Sequence, residues 1–427
     1  MRNKLIRFFL IIFVSLSFSA AAQVQVDSPV ARFNLGLIDP AGSCKSQAMG
    51  GVSTAMRDNN TIYFTNPASY SSIDTNSFVF DFGMSYSFNI ISDGSSNFAT
   101  GDFNFNHLLL GFPVSKRIGV AMGVVPFSNS YYKVGETVEA GDPGYDAVTE
   151  GYTAYHYGTG NLSNVFLGTG VKLTKNFSAG INMSFLYGSI KRSNEFVFDD
   201  YYHEYHDDIT ETIGLNGIGL DYGLQYTGTI KTDYFINAGI SYSSGKNCIS
   251  KYNLLTAKFT ASSTTDTLAL ITDDSTKAYI PGILRMGISF GKKNMLTVGI
   301  DYVITDWSKA TFHGSTGTIA DTRTLLFGIE YIPDKFSNYS FFKRVEYRIG
   351  GHVESNYVVL DGHQAQEWGA SMGLGIPMGH NFSKTNIFID YTRRSFPSSG
   401  FNYYENYFSI GASINLYDWW FLKRKYE

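Results

Sequence analysis

The stretch GIDYVIT, residues 299–305, alternates strictly, with Ile300, Tyr302 and Ile304 on one side and Asp301 and Thr305 on the other. Successive residues of a strand point to opposite faces, so this spacing predicts a strand with one apolar and one polar face. LLFGIEY, residues 325–331, repeats the pattern, setting Leu325, Phe327, Ile329 and Tyr331 against Glu330. If the apolar face meets lipid, a charge turned onto it near the midplane would cost about 2–4 kcal/mol, which fixes the phase. The same phase turns Asp221, Arg285, Glu346, Arg348, Glu367 and Asp390 inward with Asp301 and Glu330.

Working outward from these two segments, fourteen strands are predicted, near 77–90, 103–115, 117–134, 160–174, 176–198, 207–230, 233–252, 280–291, 294–307, 322–333, 345–355, 364–377, 385–396 and 405–417. Turns inside 113–119, 173–177, 229–233 and 290–295 are short, and those at 333–344 and 377–385 somewhat longer. The intervening connections, 91–102, 135–159, 199–206, 253–279, 308–321, 356–363 and 397–404, are mostly long and polar. An even strand count with connections sorted by length predicts an all-β fold, a fourteen-stranded antiparallel transmembrane barrel of the outer membrane with both ends on the periplasmic side. A soluble sandwich has no reason to sort its loops in this way.

Composition agrees. Charged residues make up 16% of the chain, against about 25% in ordinary soluble domains, while aromatics also reach 16% and glycine counts 43. The net charge of -4 is too small and too evenly spread to suggest nucleic acid. Arg2, Lys4 and Arg7 precede an apolar run that ends in Ala20, Ala21 and Ala22, so residues 1–22 read as a signal peptide cleaved before Gln23. Gln23, not cysteine, stands immediately after that site, so a lipoprotein is not expected. Beyond residue 22 no stretch approaches the roughly 18 consecutive apolar residues of a membrane helix. Whether Cys44 and Cys248 pair is open from sequence.

Residues 23–76 precede the first strand, and GSCKSQAMGGVSTAMRDNNTIYFTNPAS, residues 42–69, is their centre. It is too small and polar to be a strand and too broken to be a long helix. Barrels of about 8 strands fill with side chains and those of about 16 to 18 leave a channel, so one of fourteen needs a filling. Small residues would fit inside such a lumen, and polar ones would satisfy its charged wall. Residues 23–76 are therefore expected to plug the barrel formed by 77–417, leaving 418–427 as a periplasmic tail.

The run Gly50, Gly51, Ala55, Asp58, then Asn66-Pro67-Ala68 just before the first strand, resembles the hatch of the FadL family, the long-chain fatty acid and aromatic hydrocarbon transporters of outer membranes. The closing stretches EWGASMGLGIPMG and NYFSIGASINLYDWWFLKRKYE look like a branch of that family ending in an aromatic and basic tail. Asn66 and Pro67 also suit a plain turn into the wall. In the resembled family the third strand kinks inward and opens a side window. Within RIGVAMGVVPFSNSYY, Gly123, Pro126 and Phe127 would mark it, since Pro126 cannot donate to a ladder. The plainer account is a bulge at the membrane interface followed by belt aromatics.

The resemblance implies a passive transporter with a hydrophobic small-molecule ligand, a pocket above the hatch and a lateral exit into outer-membrane lipid. An apolar guest gains about 0.8 kcal/mol per CH₂ by staying out of water, so such a route needs no energy source. Arg285 and Arg348 could meet a ligand carboxylate, or pair with Glu330, Glu346 or Asp58, because an unpaired lumen charge is costly. The alternative is an accessory subunit of an outer-membrane protein secretion or assembly complex, with a protein partner at the periplasmic tail YDWWFLKRKYE. A plug disfavours an open porin.

No catalytic or cofactor chemistry is expected. GISFG around Ser289 and GASMG around Ser371 match G-x-S-x-G, but they lie within strands and lack the strand-to-helix turn of a nucleophile elbow. DDYYHEYHDDITE, residues 199–211, holds His203 and His206 among acids at no defined metal spacing and reads as a solvated loop. No phosphate loop, zinc motif or dinucleotide fingerprint occurs.

Overall fold

The computed structural model describes residues 28–419 except 93, 95, 143–144, 146–150, 199–205, 261–262, 313–318, 361, 379–382 and 398–402. The signal peptide, His203 and tail residues 420–427 therefore lie outside the described residues, as does the His206 side chain.

Fourteen strands form the wall. β1 (Ser77–Ser92) and β2 (Asn97–Ser115) lead into β3, built in two pieces (Ile118–Asn129 and Tyr132–Val138). β4 (Tyr152–Lys172), β5 (Phe177–Phe198) and β6 (His206–Ile230) are long and continuous. β7 (Tyr234–Ser243 and Lys246–Thr260) and β8 (Ser263–Ile280 and Ile283–Lys292) are again each in two pieces. β9 (Leu296–Thr305), β10 (Thr322–Tyr331), β11 (Glu346–Leu360), β12 (His363–Pro377), β13 (Lys384–Ser395) and β14 (Tyr404–Trp419) complete the wall. Every neighbouring pair is antiparallel, and β14 closes on β1 from Tyr404↔Ser92 to Trp419↔Ser77. Closure removes the sheet edges that hydrocarbon would not tolerate.

The alternation places residues as their chemistry requires. Ile300 is 54% exposed, Asp301 1% and Tyr302 38%. Connections at one end are short, as between Ser115 and Ile118 or Ile230 and Tyr234. At the other end the ladders run further than the sequence reading allowed. Residues 253–279, expected to be a loop, are mostly hairpin, with Leu254↔Ile271 and Lys258↔Asp266 paired. Residues 91–102 and 356–363 likewise turn out to be largely strand. These extensions lie beyond the lipid-facing band, so no apolar alternation marked them. Backbone pairing with the adjacent strand holds them instead.

Residues 28–76 carry almost no regular structure: a 3₁₀ turn at Pro29–Arg32, a two-residue strand at Leu37–Ile38, one helical turn at Cys44–Gln47 and a 3₁₀ segment at Pro67–Ser72. Most are buried, with Cys44, Ala48, Met49, Val52, Ala55 and Ala68 fully so. They pack on inward-facing residues of strands all round the wall, close enough that glycine is required opposite them. A Cβ on Gly180 of β5 would stand 2.4 Å from the Pro67 carbonyl carbon, one on Gly239 of β7 2.3 Å from Thr54 O, and one on Gly328 of β10 2.4 Å from Met49 O. These glycines adjoin others across the ladder, as in Gly170↔Gly180, Gly180↔Gly223 and Gly328↔Gly350.

Gly328→Ala should unseat this contact and lower stability by about 1–3 kcal/mol, the usual cost of overpacking. Gly214→Ala is the control, since its Cβ would meet nothing nearer than 3.8 Å. Thermal unfolding and single-channel current should separate the two, with both signals changed only in Gly328→Ala.

Candidate functional site

Wall side chains hold the N-terminal stretch by its backbone. Asp301 accepts from the Ser53 and Thr54 amides at 2.8 and 2.7 Å. Ser371 accepts from the Gly50 amide at 2.9 Å, and Ser289 donates to Ala55 O at 3.0 Å. The two serines of the G-x-S-x-G matches thus fasten this stretch. Gly50 and Gly51 adopt φ of 66° and 93°, a left-handed backbone that favours glycine. Asn66 accepts from the Ala68 amide at 3.2 Å and donates to Thr54 O at 2.8 Å, so Asn66-Pro67-Ala68 starts a 3₁₀ segment and ties it to the preceding turn.

Between this stretch and the wall near the short-turn end lies a buried set of charges. Lys45 Nζ stands 2.6 Å from Asp58 Oδ2 and 3.2 Å from Glu330 Oε2. Arg348 Nε donates to Glu330 at 2.7 Å, its Nη1 to Asn386 at 2.9 Å, and its Nη2 pairs with Glu346. Lys384 reaches Glu346 at 3.1 Å. Three cations thus meet three carboxylates, and Arg348 is committed to structure. A second set joins Arg394 to Glu367 at 2.6 Å and Glu405 at 2.9 Å, while Ser28 bonds Glu405. Asp390 accepts from Thr392 at 2.8 Å. Asp221 and Arg285 form no ion pair within 4.0 Å among the described residues. Arg285 therefore departs from the expected pairing.

The wall is incomplete between β2 and β3. Their ladder runs from Ser115↔Ile118 to Leu108↔Val124 and stops, although β2 stays paired with β1 up to Asn97. Beyond Val124, β3 keeps β4, with a register shift between Pro126 and Ser128. Its other edge is taken by the N-terminal stretch, where Leu37 and Ile38 pair with Asn129 and Ser128. Gly36 permits this approach, since a Cβ there would sit 1.9 Å from Asn129 O. Pro126 and Phe127 stand on the β3 side of the seam, with Gly123 still paired to Leu109 below it.

A cavity of about 300 Å³ opens behind the seam. Leu37, Ile38, Phe105, Pro126, Phe127 and Trp307 line its apolar side, and Arg285, Glu354, Glu367, Asp390 and Arg394 its polar side. Sequence reading missed Lys45, Lys384, Glu354 and the buried pair of His107 Nε2 with Asp81 Oδ1 at 3.1 Å. A lone lysine amid the small residues of 42–69 was the signal available for Lys45. Cys44 and Cys248 are both free and buried. Among the described residues no cluster of three or more His, Cys, Asp or Glu could hold a metal.

Burial works to raise the Asp58 carboxyl. The Lys45 and Lys384 charges, with hydrogen bonds from Lys45 and Tyr63, outweigh it and hold Asp58 well below its ordinary value of 3.8. A depressed folded value means that this stabilisation is complete above about pH 4 and fades as pH falls further. Single-channel current should accordingly stay low at neutral pH and rise in acid. Lys45→Met leaves buried carboxylates short of a cation and should cost about 3–5 kcal/mol, read as a lower unfolding temperature.

No curated protein matches the sequence. Among solved structures the chain is similar to the monoaromatic hydrocarbon channel CymD, at 14% identity and TM-score 0.56 over 90% of this chain and 99% of that one. It is similar too to the toluene transporter TbuX of Ralstonia pickettii, at 15% identity and TM-score 0.55 over 89% and 99%. A FadL homologue of Pseudomonas aeruginosa matches at 13% identity and TM-score 0.56 over 90% and 98%. At such identities the likeness is one of fold, a FadL-type barrel. The BamG family model, by contrast, matches the sequence itself across residues 3–427, and the chain belongs to the BamG family.

Proposed function

We propose that this is an outer-membrane barrel that passes hydrophobic or amphiphilic compounds from its lumen into the bilayer. The β2–β3 seam with a cavity behind it carries the reading, because it joins an internal pocket to lipid without crossing the polar wall. Residues 28–76 act as the hatch. A guest entering from the long-loop end would rest its apolar part against Phe105, Phe127 and Trp307 and leave between β2 and β3. Each CH₂ kept from water favours this route by about 0.8 kcal/mol. Arg285 is the cation left to meet an acidic head group. The solved barrels of similar fold include channels described as carrying toluene and monoaromatic hydrocarbons, which supports a guest of this kind.

A second reading is an accessory subunit of an outer-membrane protein secretion or assembly complex. It is favoured by an N-terminal stretch bonded to the wall through both Lys45–Glu330 and Ser28–Glu405, and by exposed aromatics on the connection after β10. Uptake of a labelled long-chain fatty acid and of toluene should fall several-fold in a deletion strain and return with the intact gene. Unchanged uptake of both would overturn transport. A stoichiometric protein partner after gentle detergent purification would favour the subunit.

A further inference from the structure

Most connections at the short-turn end are tight, but the one from β10 to β11, Ile332–Val345, is much longer. It is ordered nonetheless. The Asp334 amide donates to Lys343 O at 2.8 Å, the Ile332 amide to Met295 O at 2.8 Å, and Phe341–Arg344 form one helical turn. On this fixed frame stand Phe336 at 65% exposure, Phe342 at 73% and Tyr339 fully exposed. Holding large aromatics in water on an ordered loop is unfavourable for an isolated barrel, and such residues are the common anchors of protein interfaces.

The charge around them is mainly positive. Lys335, Lys343 and Arg344 lie on the same connection, against Asp334, and Lys293 lies on the adjacent β8–β9 turn, in a chain whose net charge is -4. Lys335 donates to Asn294 at 3.3 Å and, with Lys293 and Arg57, lines a cavity of about 340 Å³ at the same end. Its far end is tied to the outer rim, where the hydroxyl of outward-facing Tyr347 donates to Phe342 O at 3.1 Å, so the connection reaches from the lumen mouth to the barrel's edge.

We propose that the β10–β11 connection and its basic surround form the docking surface for an acidic periplasmic protein. Phe336, Tyr339 and Phe342 would anchor that partner, and the cations would meet its carboxylates. The proposal rests on the accessory-subunit reading and names the surface that reading requires.

The test places a photo-crosslinking residue at position 339 of the full-length barrel in cells, identifies the adduct by mass spectrometry, and titrates the purified partner against the barrel in nanodiscs. The expected result is one acidic protein whose binding falls at least tenfold in Lys335→Glu/Lys343→Glu/Arg344→Glu and again in Phe336→Ser/Tyr339→Ser. Heat-modifiable mobility of each variant should match the parent, showing an intact barrel. A phospholipid adduct alone, or binding indifferent to charge reversal, overturns the proposal. A stoichiometric partner that crosslinks elsewhere removes this surface while leaving the subunit reading standing.

Discussion

The structure depends on one close approach, that of an irregular backbone to the inside of a sheet. The peptide groups of residues 47–68 can reach the wall only because the inward positions opposite them are glycine, as at Gly180, Gly239 and Gly328. Each contact exposes ladder atoms to a second backbone. Asp301, Ser371 and Ser289 then supply the acceptors and donors that the irregular chain lacks. A stretch without sheet or long helix can be buried in this way because its polar groups find partners in the wall.

Charge completes the fit. Lys45 would be prohibitively placed without Asp58 and Glu330, and Glu330 in turn is shared with Arg348. Such a set adds little net stability over a well-packed apolar core, but losing one member is expensive, so it favours a single seating of the stretch over alternatives. At the seam the opposite logic holds. There β3 exchanges β2 for Leu37 and Ile38, and a gap opens where Pro126 could not have donated to a ladder.

Much of this was legible in the residues. Strict alternation in 299–305 and 325–331 specified both the wall and which charges face inward, because a charge on the lipid face is costly. The hairpin at 253–279 was illegible for the same reason: outside the bilayer nothing demands an apolar face, so TLALITDDST carries no period-two signal. The glycines were countable but not interpretable, since their partners lie far away in sequence. Arg348 was legible as an internal ion-pair member, whereas the lack of a close ion pair at Arg285 depends on how near the barrel brings its acids, and alternation cannot reveal that.

Closure by β14 against β1 bears on how the molecule is made. Ser28 bonds Glu405 and Gly50 bonds Ser371, so the segment synthesised first is held by strands synthesised last. Such distant pairings form slowly, because the intervening chain must be ordered before they repay it. These bonds are complete only once the last strands stand around the leading segment. An inserted barrel lacking its last strands would therefore lose its interior along with its circumference.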